Sequence, residues 1–563
     1  MDSSDLQQSS SAYCFIANKD VHCIPINSFN SYSDSFLALD NTKHQRDDAD
    51  FTPDKLYLKN RNLLYSLNNP SLSDVEFEPN SPTPLHSTLN TANNNTPING
   101  NHNGNNSHSN STSLSVPSTS SSFRKSISTT PSPPASDVDL SAIINNYATH
   151  AVYFPKLIVN LSENLNNNFQ DLKTLLVKIF PTWSNKDEIT LKQLTGGITN
   201  MLLRCSYKPL QETVLIRVYG HGTNLIIDRH REFISHLILN SIGLAPPIHS
   251  RFKNGLIYGY LSGRSLESSE LYSPNLYPLI AQQLGNWHNQ LDYRLIQNGV
   301  EKIRTFSMSL KSKTKRDSIS NGSTKKRYKK KFISNIWELI EDWINIVPVN
   351  PDLISSFNSN LSHEVTAENL KSIITEEFEW LKENLINSNS PVVSSHCDLL
   401  SGNVIIPDDL DIKKPLHSLP TIEKNPIKFI DYEYMLPAPR AFDIANHLAE
   451  WQGFDCDRSV IPTPHISNPV LVKWVKGYLN DENADMDKVG SLIEEIATFY
   501  GLPGFYWGIW AMIQSELSNI DFDYSKYGKL RLEEYWVWKG HFLKKQRATT
   551  SSSSSPIKVE VNC

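Results

Sequence analysis

Apolar and polar positions divide the chain into a patternless beginning, a long patterned centre and a short tail. Residues 1–148 contain short apolar patches without a sustained period, and Ser, Asn, Thr and Pro dominate 87–136. Such a composition buries too little apolar surface to offset the entropy lost on ordering. We therefore expect a long disordered N-terminal tail over 1–148 and a short disordered tail over 547–563.

Residues 149–262 carry mostly strand patterns. Strands are predicted at Tyr153–Leu161, Ile189–Leu194, Met201–Tyr207, Val214–Val218 and Gly255–Leu261. Helical spacing of apolar residues occurs at Asn168–Phe180 and Asp228–Ile242. This part is therefore expected to form a small, β-rich N-terminal lobe.

Residues 263–546 show mainly the helical period. Helices are predicted at Pro278–Leu291, Ile333–Ile346, Ala367–Leu385, Ala441–Trp451, Asn468–Leu479, Val489–Tyr500, Pro503–Leu517 and Tyr527–Leu543, with short strands near Val404–Ile406 and Ile427–Ile430. Two inserts interrupt the pattern: a basic, Ser-rich segment at about 305–332, expected to be disordered, and a proline-containing loop at 408–426. The whole is predicted to be an α+β protein with a large helical C-terminal lobe.

Composition excludes several classes of protein. The net charge of -6 and the pI near 6.3 argue against a nucleic-acid-binding protein. Six scattered cysteines without a Cys-x-x-Cys pair fit free thiols in a reducing cytoplasm. The N-terminus has no signal-peptide pattern, and no apolar run approaches the roughly 20 residues of a membrane span.

Acidic residues after two short strands suggest phosphoryl transfer. Asp398 and Asn403 are five residues apart, the spacing of the protein-kinase catalytic loop, and Asp431 ends the following strand. Phosphoryl transfer needs a carboxylate to take the hydroxyl proton and oxygen ligands for Mg²⁺. The competing interpretation makes Asp398 a loop cap and Asp431 a turn former, but the order of the motifs favours a phosphotransferase.

The predicted N-terminal lobe holds a matching candidate for nucleotide binding. Gly196 and Gly197 join two strands and would let backbone amides approach phosphate oxygens. Arg217 lies on the next strand, and Glu232 follows it by fifteen residues on a helix, where it can pair with it. Each feature alone also fits a hairpin turn or an outward polar residue. The absence of a Walker sequence argues against a P-loop enzyme.

Aromatic residues late in the chain suggest a site for an organic cation. Two indoles, two phenols and a carboxylate would bind such a cation through cation–π contact and charge. The residues are Tyr434, Glu450, Trp507, Trp510 and Tyr527. The alternative is that these aromatic residues belong to the core.

At these residues the chain resembles the choline/ethanolamine kinases, over about 186–541. The most specific segments are Phe429–Tyr434 with Phe442–Trp451, and Trp507–Trp510 with Tyr527. The resemblance implies a two-lobed protein-kinase-like fold and transfer of the ATP γ-phosphate to an amino alcohol with Mg²⁺. Departures are Cys397, where many members have Asn, and Phe454, where Tyr is frequent.

The resemblance also implies roles for individual residues. Asp398 would be the catalytic base, Asn403 and Asp431 metal ligands, and Asp443 a structural brace of the catalytic loop. Nucleotide binding would involve Gly196, Gly197, Thr199, Asn200, Arg217 with its partner Glu232, and the hinge from Gly259 to Leu261. The amino alcohol would bind Tyr434, Glu450, Trp507, Trp510 and Tyr527.

The most detailed inference from the sequence concerns the preferred substrate. Leu399 and Leu400 after Asp398 resemble the ethanolamine branch, which carries Leu-Leu there, whereas the choline branch usually has Gln at the position of Leu400. As a whole the chain most resembles a fungal-type ethanolamine kinase. The favoured function is therefore an ethanolamine kinase, which forms phosphoethanolamine in the first step of phosphatidylethanolamine synthesis through CDP-ethanolamine. A choline or dual kinase, a phosphotransferase for aminoglycosides or other small molecules, and a non-catalytic kinase-fold scaffold stay open, as does a homodimer.

The basic insert yields a first prediction. Residues 311–331 contain ten Lys or Arg, which would give weak peripheral contact with an anionic membrane at roughly 1 kcal/mol per residue near the surface. Deleting 311–331 should leave activity in solution unchanged and lower binding to anionic vesicles in a sedimentation assay. Equal binding by the deletion variant would favour a plain solvated loop.

Overall fold

The computed structural model describes residues 140–553, with gaps at 155–156, 161–163, 165–167, 195–199, 221–222, 303–332, 519 and 521. Several predictions lie outside the described residues. They concern the tail up to residue 139, the turn residues Gly196, Gly197 and Thr199, the basic insert at 311–331 and the end of the chain after 553.

The smaller lobe is built on a six-stranded sheet. Its strands are β1 Val152–Phe154, β2 Ile189–Leu194, β3 Asn200–Tyr207, β4 Glu212–Tyr219, β5 Ile248–Phe252 and β6 Gly255–Gly259. Their order is β1-β5-β6-β4-β3-β2, with β1 parallel to β5 and the other neighbours antiparallel. Arg217 thus lies inside the sheet on β4, opposite Leu202 on one side and Leu256 on the other.

Two strands of this sheet differ from the prediction. The strand expected over 153–161 ends at Phe154, and the next residue in the sequence is a proline, which cannot donate a ladder hydrogen bond. Strand β5 was not predicted because only Ile248 and Phe252 are apolar at its ends. Ser250 alternates with them on the buried face.

Helices α1 Leu140–His150, α2 Gln170–Ile179 and α3 Arg229–Ser241 complete this lobe. The side chain of Asp228 caps α3 by accepting hydrogen bonds from the amides of His230 and Arg231. Helix α1 packs against α3. The predicted boundary at residue 148 therefore falls inside a helix, whose residues Ile144 and Tyr147 are buried, so 140–148 belong to this lobe and not to the expected disordered tail.

The larger lobe is mostly helical. Its helices are α4 Tyr277–Gln290, α5 293–302, α6 Ile336–Ile346, α7 Pro351–Asn358, α8 Leu370–Leu385, α9 Arg440–Ala449, α10 Pro469–Tyr478, α11 Met486–Phe499, α12 Leu502–Leu517 and α13 Tyr524–Ser553. The last helix continues past the predicted end of order at 546. No helix in the described part of the chain is long and apolar enough to cross a membrane.

Short strands in the larger lobe flank the two loops that carry Asp398, Asn403 and Asp431. They are β7 Arg264–Ser265, β8 Val392–Ser395, β9 Val404–Ile406, β10 Lys428–Phe429 and β11 Leu436–Pro439. Strand β9 pairs with β7 and β10, and β8 pairs with β11, all antiparallel. The β-rich and helical lobes together confirm the predicted two-lobed α+β fold.

Helices α12 and α13 pack unusually closely. A Cβ at Gly504 would lie 2.5 Å from the carbonyl oxygen of Arg531, and one at Gly508 would lie 2.6 Å from Cγ of Leu532. A side chain at either position would therefore push the helices apart. This close contact places the tryptophans of α12 beside the polar residues of α13.

Helix α1 generates a prediction for stability. Ile144 is 1% exposed, so Ile144→Ala should lower the free energy of unfolding by about 2–4 kcal/mol through lost burial and a cavity. Exposed Asn146 on the same helix provides the control, and Asn146→Ala should change stability by no more than about 0.5 kcal/mol. Denaturant unfolding measures both. Equal stability of the two variants would show that α1 does not stabilise the fold.

Candidate active site

The loop after β8 is held by a carboxylate on α9. Asp443 accepts hydrogen bonds from the backbone amides of His396 at 2.9 Å and Cys397 at 2.8 Å. The ring of His288 lies 2.8 Å from the same carboxylate. Burial alone would raise the pKa of Asp443, but the hydrogen bond and charge of His288 lower it below its ordinary value. Asp443 thus occupies the bracing position that the resemblance implied.

Further contacts fix the backbone of this loop. Cys397 has a φ of 63°, in the left-handed region that non-glycine residues rarely adopt. Its carbonyl accepts a hydrogen bond from Nδ2 of Asn446 at 3.0 Å, and the carbonyl of Leu399 lies 2.9 Å from Nδ1 of His447. Asn446 and His447 were not predicted as site residues, although both lie in the segment that resembles the family.

Asp398 lies in this fixed loop and is 7% exposed. Nδ2 of Asn403 donates to the carbonyl oxygen of Asp398 at 2.8 Å and to its Oδ2 at 3.2 Å. Burial first, and then the charges of Asp431, Glu450 and Glu433, raise the pKa of Asp398 well above its ordinary value. The predicted base is therefore close to other carboxylates and is stabilised by any cation that binds among them.

Asp431 follows β10 and faces the same region. It has a φ of 67°, and the amide of the preceding Ile430 donates to the carbonyl of Asn403 at 3.0 Å. Nη2 of Arg217 lies 2.8 Å from Oδ1 of Asp431. Burial raises the pKa of Asp431 to about 6, with Glu433 adding to the effect and Arg217 opposing it. The structure thus brings Asp398, Asn403 and Asp431 together.

An ionic network joins the two lobes beside Asp431. The predicted pair of Arg217 and Glu232 is present at 3.4 Å, and Arg217 also binds Glu433. Arg229 binds Glu232 at 2.9 Å and Glu433 at 2.8 Å. Neither Glu433 nor Arg229 was predicted as a site residue. The sequence feature that could have identified Glu433 as a site residue is its position two residues after Asp431.

Asn200 extends this network onto β3. Its Nδ2 donates to Oε2 of Glu433 at 2.8 Å, and its Oδ1 accepts from Nη2 of Arg229 at 3.0 Å. Asn200 follows the predicted turn at 195–199, which lies outside the described residues. The predicted nucleotide-binding residue Asn200 is therefore itself part of the network.

The predicted hinge lies between the lobes. Gly259 ends β6, and its amide donates to the carbonyl of Pro247 at 2.9 Å. A Cβ at Gly259 would lie 3.1 Å from Cβ of Pro246 and 3.2 Å from Cδ of Pro247, so the close packing there favours glycine. Leu261 follows in extended chain and is partly exposed.

The aromatic residues assemble into one wall. The rings of Trp507 and Trp510 contact at 5.2 Å between centroids, and Tyr434 contacts Trp507 at 5.8 Å. Nε1 of Trp510 donates to the hydroxyl of Tyr434 at 2.8 Å, and Nε1 of Trp507 donates to Oδ1 of Asn446 at 2.8 Å. Both indole N–H groups are therefore satisfied within the wall, and the residues are also part of the core.

Tyr527 and Glu450 share an unpredicted partner, and the ring of Tyr527 is connected to that of Trp510 through neighbouring aromatic rings. Nη1 of Arg531 donates to Oε1 of Glu450 at 2.9 Å and to the hydroxyl of Tyr527 at 2.9 Å. Phe454, the departure from the family pattern, packs against the ring of Tyr527 at 5.7 Å. Arg531 lies one helical turn after Tyr527, which was the one signal for it in the sequence.

The oxygen atoms fit a magnesium ion bound together with a nucleotide. Asn403 uses its amide nitrogen for both hydrogen bonds to Asp398, which leaves its oxygen as the atom for a cation. Among the described residues no three His, Cys, Asp or Glu side chains are arranged to hold a metal by themselves. Mg²⁺ usually takes one or two carboxylates and completes its shell with phosphates and water, so Asp431 and the Asn403 oxygen match what the protein would have to supply.

Comparison with known proteins places this site in a family. The model of the choline/ethanolamine kinase family matches residues 191–536. An ethanolamine kinase of Drosophila melanogaster is 31% identical over 396 residues, which cover 69% of this chain and 66% of that protein. Ethanolamine kinase 1 of Mus musculus is 29% identical over 392 residues, 68% of this chain and 93% of that protein.

A solved structure of an ethanolamine kinase from Plasmodium vivax matches with a TM-score of 0.48 and 27% identity, covering 65% of this chain and 86% of that one. The family model, by contrast, spans more than half of the chain and includes Asp398, Asn403 and Asp431. The chain therefore belongs to the choline/ethanolamine kinase family.

Proposed function

We propose that the chain is an ethanolamine kinase, which transfers the γ-phosphate of ATP to the hydroxyl of ethanolamine. The observation that carries this proposal is the buried Asp398, held by Asn403 and by the loop that Asp443 braces. The carboxylates of Asp431, Glu433 and Glu450 near Asp398, together with the aromatic wall, form a site that favours cations. Similarity to two proteins named ethanolamine kinase supports the substrate.

The mechanism assigns one task to each group of residues. Asp398 accepts the proton of the attacking hydroxyl, and Trp507 and Trp510 hold the ammonium end so that this hydroxyl faces the base. Asp431 and the Asn403 oxygen would hold Mg²⁺, which when bound neutralises charge on the nucleotide phosphates. Because nearby cations favour the ionised carboxylate, Asp398 becomes a competent base when substrate and nucleotide are both bound.

Arg217 is the residue proposed to meet the nucleotide phosphates. Its guanidinium lies among Glu232, Asp431 and Glu433, which hold it across the junction of the lobes. Asn200, and the undescribed Gly196, Gly197 and Thr199, are proposed to bind phosphate from the side of the small lobe. The hinge at Gly259 and Leu261 is proposed to lie beside adenine.

Choline is the second candidate substrate, because the aromatic wall suits a trimethylammonium group as well. A primary ammonium needs hydrogen-bond acceptors. The hydroxyls of Tyr434 and Tyr527 each already accept one N–H donor, and one oxygen of Glu450 accepts from Arg531. The other Glu450 oxygen is therefore the acceptor that favours ethanolamine.

The cellular location is proposed to be cytoplasmic. The described cysteines Cys205, Cys397 and Cys456 are free thiols, which fits this location. The homodimer and the membrane contact through 311–331 stay predictions.

Replacing the base tests the mechanism. Asp398→Asn keeps the size of the side chain and removes the proton acceptor, so kcat with ethanolamine should fall on the order of 10²- to 10⁴-fold. Nucleotide binding and thermal stability should be retained. Asp409→Asn, on an exposed loop, is the matched control and should keep full activity. A kcat above one tenth of the wild-type value would exclude Asp398 as the base.

A substrate panel tests the choice of alcohol. With saturating Mg-ATP, kcat/KM should be higher for ethanolamine than for choline, with measurable activity on both and intermediate values for the partly methylated amines. The reason is the loss of N–H donors to Glu450 with each added methyl group. A choline value more than tenfold above that of ethanolamine would assign the chain to the choline branch.

A further inference from the structure

A buried arginine lies in the wall of a pocket proposed to bind a cation. Arg531 is fully buried, and it connects Glu450 and Tyr527 through Nη1. On its other side, Nε lies 3.2 Å from Oε2 of Glu534. A guanidinium at this place would oppose binding of an ammonium group unless its charge were more than balanced.

Glu534 provides that balance. It is 9% exposed, and its carboxylate accepts a hydrogen bond from Nε2 of Gln452 at 2.9 Å. Burial raises the pKa of Glu534, while Arg531 and Gln452 oppose the effect and favour the ionised form. With two carboxylates around one guanidinium, the cluster of Glu450, Arg531 and Glu534 keeps one net negative charge, matching one ammonium ion.

The position of the cluster connects it to the reacting groups. Glu450 lies four residues after Asn446, whose side chain accepts a hydrogen bond from Nε1 of Trp507 and donates one to the backbone of the loop that carries Asp398. The charge of Glu450 also contributes to the raised pKa of Asp398.

Close helix packing places Arg531 beside the tryptophans. A Cβ at Gly504 would lie 2.5 Å from the carbonyl oxygen of Arg531, so the helix of Arg531 packs closely on the helix that carries Trp507 and Trp510. The side chain of Arg531 therefore joins Glu450 and Tyr527 at this helix contact.

We infer that Arg531 is a positioning residue of the amino-alcohol pocket and that Glu534 sets the pocket's negative charge. Arg531 orients the Glu450 carboxylate and the Tyr527 hydroxyl with one nitrogen. Glu534 prevents the guanidinium from cancelling Glu450, so that the ammonium of the substrate meets an anionic site. The inference rests on the proposed function, since it assigns the amino alcohol to this pocket.

Glu534→Gln tests the charge. The substitution keeps the shape of the side chain and removes its charge, and the remaining oxygen can still accept the hydrogen bond from Nε2 of Gln452. The KM for ethanolamine should rise on the order of tenfold, from loss of one charge several ångströms away, while kcat and the KM for ATP stay within about twofold. Glu533→Gln is the matched control, on the exposed face of the same helix.

Arg531→Lys tests the positioning. Lysine keeps the buried positive charge but lacks the planar fork, so it cannot hold Glu450 and Glu534 in the same geometry. The kcat for ethanolamine should fall at least about fivefold while the KM for ATP changes little. Steady-state kinetics on the full-length protein, with thermal unfolding of each variant alongside, measures both effects.

The outcomes separate this inference from the proposed function. A wild-type protein that phosphorylates neither ethanolamine nor choline would refute the function itself. An active wild-type protein whose Glu534→Gln variant keeps its KM for ethanolamine would overturn the inference alone. A parallel loss of thermal stability, kcat and affinity for ATP in both variants would also overturn it, because a purely structural salt bridge has that effect.

Discussion

The site buries more carboxylates than guanidinium groups. This excess of negative charge is the constraint on which the arrangement of the rest of the site depends. Burial and the charges of Asp431 and Glu433 raise the pKa of Asp398, and Arg217 and Arg229 balance only part of this negative charge. Buried charge of one sign is unfavourable unless a partner is supplied. The site is therefore most stable with cations bound, and the two cations of the proposed reaction, Mg²⁺ and an ammonium ion, meet that requirement.

Such a site must also be held rigid, since carboxylates that repel one another would otherwise separate. Asp443 fulfils this task by accepting two backbone amides of the catalytic loop together with His288. The hydrogen bond that it accepts from the amide of Cys397 helps to hold that residue in a left-handed conformation, which non-glycine residues rarely adopt. Asp443 is thus bound by protein donors and has a structural role, whereas Asp398 and Asp431 are the carboxylates proposed to meet substrate and metal.

The sequence predicted those parts of the molecule that depend on local spacing. The lobes, most helices and the group of Asp398, Asn403 and Asp431 follow from periodicity, motif order and resemblance. Arg229 and Arg531 were missed because their partners Glu433 and Glu450 lie 204 and 81 residues away, and only folding brings them together. The start of α1 was missed for a different reason. Its three buried residues directly follow a long polar segment, so the helical spacing of these few apolar residues did not stand out from that segment.

The same long-range contacts bear on substrate preference. A hydroxyl that accepts an N–H bond has its orientation fixed, so Trp510 and Arg531 determine how Tyr434 and Tyr527 face the pocket. In the proposed pocket the same residues would then touch either alcohol. Discrimination between N–H donors and methyl groups would depend on how many acceptor atoms remain for the substrate once the protein's own hydrogen bonds are made. Arg531 would act on selectivity in this way, because it uses one oxygen of Glu450 and the hydroxyl of Tyr527.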